Sequence, residues 1–178
     1  MSGNALTTKG MIYASLFGAL TAIGALISIP LQPVPIVLCN LFLNIAAALL
    51  GGSLGALSQV IYIILGGLGL PVFSGGKAGF GVLLGPTGGY LVGFVIGAFL
   101  IGKLIELKKA PGFIWLAFSM AAGLSVIYAV GVLQLSLVAK LSLEKALAMG
   151  VLPFLPGDVL KIIAAAIVTL KTRDKVRL

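Results

Sequence analysis

Residues 10–76 read GMIYASLFGALTAIGALISIPLQPVPIVLCNLFLNIAAALLGGSLGALSQVIYIILGGLGLPVFSGG, with no charged residue anywhere between Lys9 and Lys77. A single bilayer crossing takes about 20 apolar residues, so this run must fold into several crossings. Thr7-Thr8-Lys9 leads into an apolar stretch continuous with the rest, which reads as a first span and not as a cleaved signal. Pro30, Pro33 and Pro35 interrupt the run, and Gly51-Gly52-Ser53 forms a break too short for a folded loop. Proline ends or starts helices and a tight Gly-rich turn joins antiparallel ones, so the second and third helices are expected to form a hairpin.

The same punctuation continues outward. Pro71 and Pro86 bracket a Gly-rich stretch, Pro111 follows a basic cluster, and Pro153 and Pro156 precede the last apolar run. The pattern predicts helices over roughly 9–29, 36–51, 54–70, 87–108, 112–138 and 156–172. The expected fold is therefore all-α: a polytopic membrane protein, a six-transmembrane-helix bundle with a Gly-rich outer loop between helices 3 and 4. Residues 1–178 read as a single integral-membrane substrate-binding domain, and no inverted repeat is evident.

Composition agrees with lipid as the solvent. The chain has 178 residues, 60% of them hydrophobic and only 9% charged, whereas soluble domains carry roughly a quarter. Its 12 Lys and Arg against 4 Asp and Glu would suggest nucleic acid in a soluble protein. Here the charge reads as membrane orientation. Lys9, Lys103, Lys108, Lys109, Lys171, Arg173, Lys175 and Arg177 collect on one side, and Lys77, Lys140 and Lys145 on the other. The first side is then cytoplasmic, with both termini inside, and the basic tail is a topogenic segment in preference to a lipid-headgroup or nucleic-acid patch. The absence of histidine removes His-based triads and zincin motifs, and the single Cys39 offers no intrachain disulfide. Neither a metal nor a cofactor is expected.

Two stretches carry chemistry. The first, GLPVFSGGKAGFGVLLGPTGG at 69–89, holds eight glycines together with Phe73, Ser74, Lys77, Phe80 and Thr87. Irregular backbone at membrane depth is tolerated where it is buried in protein or lines a polar cavity, so the stretch reads as a binding loop, or else as a flexible outer loop. The second, LPFLPGDVLK at 152–161, places Asp158 and Lys161 three apart at the start of a helix, on one face and able to pair. As the only ionisable residues embedded in that span, they read as a ligand site facing the bundle interior, with helix capping by Asp158 as the alternative. A carboxylate accepts hydrogen bonds from N–H groups and an ammonium donates to carbonyl or carboxylate oxygens.

GLPVFSGG, GVLLGPTGGYLVGF at 81–94, IPLQPVPI at 29–36 and PFLPGDVLK at 153–161 together resemble the BioY family, the biotin-binding S component of energy-coupling factor transporters. The resemblance runs from the first helix to the last. It departs at Val37, Leu38, Cys39 and Asn40, where the family shows a Thr and a Gln after PVPI. It implies a six-helix fold with a pocket near the outer face, in which Asp158 accepts the ureido N–H groups of biotin. Lys161 would donate to the ureido oxygen or the carboxylate, with Lys77 a second carboxylate partner. Phe73, Tyr90 and Phe154 are candidate walls for the ring, each of which alone reads first as core or interfacial packing. Ser74, Thr87 and Asn44 are weaker polar candidates, as able to bond helix backbone as ligand.

Ala14, Gly18 and Ala22, with Ser15 and Ala19 beside them, form a small-residue stripe on the first helix. The resemblance makes it the docking face for a transmembrane coupling subunit, which would work with two ATPase subunits; internal packing is the alternative. No GxxxxGK followed by Ser or Thr occurs, so hydrolysis would come from a partner. Three classes remain: a biotin-capture subunit or a relative for another vitamin, an intramembrane enzyme resting on Ser74 and Lys77, and a non-catalytic assembly subunit.

Overall fold

The computed structural model describes residues 7–174, so Lys175 and Arg177 of the basic tail lie outside the described residues. Helix α1 spans Thr8–Leu26 and begins where the Thr7 side chain accepts the Gly10 N–H at 3.1 Å. Its end falls short of the expected residue 29, and the next helix begins after the expected residue 36. Between them, strands β1 (Ser28–Ile29) and β2 (Ile36–Val37) pair antiparallel, with Ser28 opposite Val37 and Ile29 opposite Ile36. The intervening prolines cannot donate to a helix, while β-branched Ile29, Ile36 and Val37 suit an extended ribbon. The Leu38 N–H then donates to Gly24 and Ile27 carbonyls at 3.0 and 3.2 Å, fastening the start of the next helix to the end of α1.

Helix α2 runs over Cys39–Gly67 but is interrupted at Gly51, with φ 81° and ψ 179°. A Cβ placed on Gly55 would stand 2.8 Å from the Ala47 Cα, whereas a straight helix holds such residues about 12 Å apart. The Cys39 thiol and Tyr62 hydroxyl also meet. The chain therefore doubles back at Gly51, a conformation glycine adopts without a Cβ penalty. The reversal is held by Glu106, which accepts the Gly52 N–H at 2.8 Å while pairing with Lys103 at 2.8 Å.

The Gly-rich stretch is less irregular than the sequence suggests. It contains a 3-10 turn at Ser74–Gly76 and a short helix α3, Phe80–Leu84. From α5 (Phe113–Ala139), the Gln134 amide donates at 2.8 Å to both the Leu83 and Gly85 carbonyls and pins this segment down. Helix α4 covers Gly88–Glu106, and α6 (Leu143–Gly150) precedes α7 (Leu155–Thr172). Helix α6 falls between the helices expected at 112–138 and 156–172; Ser142 caps it by accepting the Lys145 N–H.

Four helices, α1, α2, α4 and α5, are long and apolar enough to cross a membrane, and α6 with α7 makes a fifth if that pair, bent by 51°, counts as one span. Large apolar side chains line the perimeter, including Ile114, Phe118, Leu133 and Leu160. Such a surface belongs in hydrocarbon, and the protein is a multi-pass membrane protein. Helix α2 packs against α1, α4 and α7, and α4 against α5. At one end sit Lys103, Lys108 stacked 4.0 Å over the Trp115 ring, and Arg173 bonded to the Pro111 carbonyl at 2.9 Å. The opposite end gathers the β ribbon, α3 and the start of α7.

Candidate ligand-binding site

The start of α7 carries Asp158 inward. Its carboxylate is not a helix cap: Oδ1 receives the Lys161 ammonium at 2.8 Å and the Asn40 amide at 3.2 Å, while Oδ2 receives the same amide at 3.3 Å and the Tyr128 hydroxyl. The Lys161 ammonium also donates to the Val37 carbonyl at 2.7 Å. Asp158 and Lys161 side chains are 3% and 11% exposed, so the pair is desolvated. Charges in that state persist only when hydrogen bonds satisfy them, and here α2, α5, β2 and α7 each contribute to the same carboxylate or its ammonium partner.

A hollow with about 390 Å³ of empty space opens beside this cluster, lined by Val34, Tyr90, Phe94, Ile127 and Phe154 as well as by Asn40, Tyr128, Asp158 and Lys161. A second, of about 520 Å³, adjoins it through Val34, Pro35, Val37, Tyr90 and Phe94 and extends to Phe73, Ser74, Lys77 and Thr87. Together they form one cleft with an apolar middle and a polar group at each end.

Of the residues singled out from sequence, Asp158, Lys161, Phe154 and Tyr90 meet at the first hollow, and Phe73, Ser74, Lys77, Thr87 and Tyr90 at the second. Each is held by its own local structure. Phe73 is buried edge-on against Tyr62 with centroids 5.6 Å apart, in a space left by Gly66. The Tyr90 hydroxyl donates to the Gly150 carbonyl at 2.9 Å. The buried Ser74 hydroxyl has no partner in the protein, and exposed Lys77 has no ion-pair partner among the described residues. Asn44 is buried but lines neither hollow. The asparagine at the cleft is Asn40, one helical turn nearer the mouth.

Sequence reading missed Asn40 and Tyr128. Tyr128 lies in the apolar run VIYAV, and its hydroxyl in mid-span was the available signal, since a polar group buried in a membrane helix needs a partner. The small-residue stripe divides. Ala14, Gly18 and Ala22 turn inward, with a Cβ on Gly18 reaching 2.9 Å from the Ser58 carbonyl oxygen, while Ser15 and Ala19 face outward. The inward three serve contact between α1 and α2, the alternative the sequence left open. No group of three or more metal-ligating side chains occurs among the described residues.

The chain matches known proteins along its full length. The profile of the BioY family covers residues 1–178. A Thermotoga maritima protein named biotin transporter BioY is 45% identical over 165 residues, covering 93% of this chain and 96% of that protein. A Pyrococcus horikoshii protein named probable biotin transporter BioY is 40% identical, covering 92% of this chain and 95% of its own. A crystal structure described as the S-component for biotin from an ECF-type ABC transporter superposes with a TM-score of 0.86 at 29% identity, covering 98% of this chain and 95% of that one.

Proposed function

The chain belongs to the BioY family, and from that premise we propose that it is a membrane-embedded capture subunit for biotin, binding the vitamin in the two-part cleft. The observation that carries this reading is the desolvated Asp158–Lys161 pair, closed in by Asn40 and Tyr128 at the mouth of an apolar hollow. An ion pair in hydrocarbon is a costly way to join helices; beside an enclosed hollow it supplies the donor and acceptor array that a ureido ring requires. The bicyclic ring sits in the first hollow against Tyr90, Phe94, Ile127 and Phe154. The valerate chain runs into the second hollow, where Lys77 and Ser74 meet its carboxylate. Lys161 keeps one of its three N–H donors free for the ring carbonyl, since Val37 and Asp158 take the other two.

Uptake is driven by a partner: an energy-coupling module of one transmembrane coupling subunit and two ATPases. The chain itself performs no covalent chemistry. It lies in the cytoplasmic membrane as a single unit of six spans, counting the two legs of α2 separately, with both termini inside. The clustering of Lys103, Lys108 and Arg173 at the end opposite the cleft supports this orientation. The module docks on the outward side of α1, at Ser15 and Ala19.

The test is equilibrium binding of biotin to the purified chain in detergent. Saturable binding that is abolished in Asp158→Asn and Lys161→Ala supports the reading, and a panel of other vitamins in the same thermal-shift assay identifies the ligand class. Protection by another vitamin and not by biotin would reassign the substrate.

A further inference from the structure

The Asp158 carboxylate already meets three donors: one Asn40 N–H shared between its two oxygens, the Lys161 ammonium and the Tyr128 hydroxyl. A ligand N–H aimed at Asp158 would compete with them. Asn40 is in the opposite condition. Its amide must turn Nδ2 toward the carboxylate, because Oδ1 in that position would be repelled, and this orientation leaves Oδ1 without a partner. The side chain is nine-tenths buried and lines the first hollow, so bulk water does not satisfy that oxygen. An unpaired buried carbonyl is expensive, and a molecule seated in the hollow is the available source of a donor.

We infer that Asn40 Oδ1 is the acceptor for a ureido N–H of the ligand, and that Asp158 is a positioning residue that fixes the Asn40 amide and the Lys161 ammonium. This rests on the reading of the cleft as a biotin site and reassigns the acceptor within it. The four-membered cluster then acts in sequence: the carboxylate orders an amide and an ammonium, and the amide oxygen with the remaining ammonium proton presents an acceptor beside a donor, matching the N–H and C=O of a cyclic urea. Tyr128, which donates to Asp158, retains an acceptor lone pair and is the competing candidate.

The experiment measures affinity for biotin and for its two isomers methylated on one or the other ureido nitrogen, using the full chain in detergent. The native chain is expected to prefer biotin over one isomer by about ten- to a hundredfold, the loss that follows from removing one buried hydrogen bond. Asn40→Ala should shrink that ratio to within about threefold, whereas Tyr128→Phe should weaken binding of biotin and that isomer together and leave the ratio standing. If Asn40→Ala does not run as a monodisperse species, Asn40→Val is read in the same way. A ratio that survives in the Asn40 variant, or that collapses in Tyr128→Phe, overturns the assignment, as does equal binding of biotin and both isomers by the native chain. Failure of the native chain to bind biotin at all would instead sink the underlying biotin reading.

Discussion

Replacing Lys161 by Met and Asp158 by Asn, singly and together, tests whether the pair behaves as a closed unit. The 2.8 Å contact joins side chains that are 11% and 3% exposed, so neither charge has bulk water as an alternative partner. Lys161→Met leaves a carboxylate with only the neutral donors Asn40 and Tyr128, and Asp158→Asn leaves an ammonium with only neutral acceptors, the Val37 carbonyl and the new amide oxygen. Each single change strands a buried charge and is expected to destabilise the chain by about 3–5 kcal/mol. The double variant strands none, so its cost should fall short of the sum by about 2–3 kcal/mol. Tyr128→Phe, which removes one neutral donor and leaves the ion pair intact, should cost about 1 kcal/mol. Reversible unfolding in mixed micelles, titrated with a denaturing detergent, gives all four values. Additivity of the two single costs within about 0.5 kcal/mol would show that each charge finds its own solvation, and would refute the argument that the cluster is desolvated.

Three further outcomes follow from particular contacts. Gln134→Leu removes both bonds that hold the Leu83 and Gly85 carbonyls, and should speed amide exchange across 80–88 about tenfold while raising the biotin off-rate; unchanged protection would mean that the loop is held by other contacts. Gly66→Ala places a methyl group in the Phe73 ring and should cost about 1–3 kcal/mol while weakening biotin binding. Gly157→Ala meets nothing within 4 Å and should stabilise α7 by about 0.5–1 kcal/mol, so melting temperatures of the two glycine variants should move in opposite directions. Cys39 is 2% exposed and should stay silent to a membrane-impermeant maleimide, leaving a clean background. Against it, Lys77→Cys should label in intact cells and Lys108→Cys only after permeabilisation, and the reverse pattern would invert the orientation.

What could be read from sequence was what a single element determines. Asp158 and Lys161 stood out because three residues of spacing on one helix place them on one face whatever surrounds them, and the chain reversal at Gly51 was signalled locally by Gly51-Gly52-Ser53. What escaped were the consequences of packing between distant elements. Asn40 meets Asp158 across 118 residues, and nothing in either helix sets which turn of α2 faces the start of α7; Asn44, four residues on, has the same chemistry and nearly the same face. The stripe of Ala14, Gly18 and Ala22 was visible as a surface of close approach, but the spacing is silent on whether α2 or another chain takes it. Helix α6, only eight residues long, lies between the helices expected at 112–138 and 156–172, too short to show an apolar period of its own.

The departure from the family motif after PVPI shows the same limit from the other direction. Val37, Leu38, Cys39 and Asn40 stand where the family shows a Thr and a Gln, yet at Val37 the backbone carbonyl holds Lys161, a role any residue there can fill. The polar side chain that reaches the carboxylate comes later, at Asn40, where the helix turns it toward Asp158. A polar cluster assembled from a backbone oxygen, an amide and a hydroxyl carried on three different elements has no spacing signature. Its single linear trace is the ion pair that those groups satisfy, because a buried charge forces the fold to bring partners from wherever they lie.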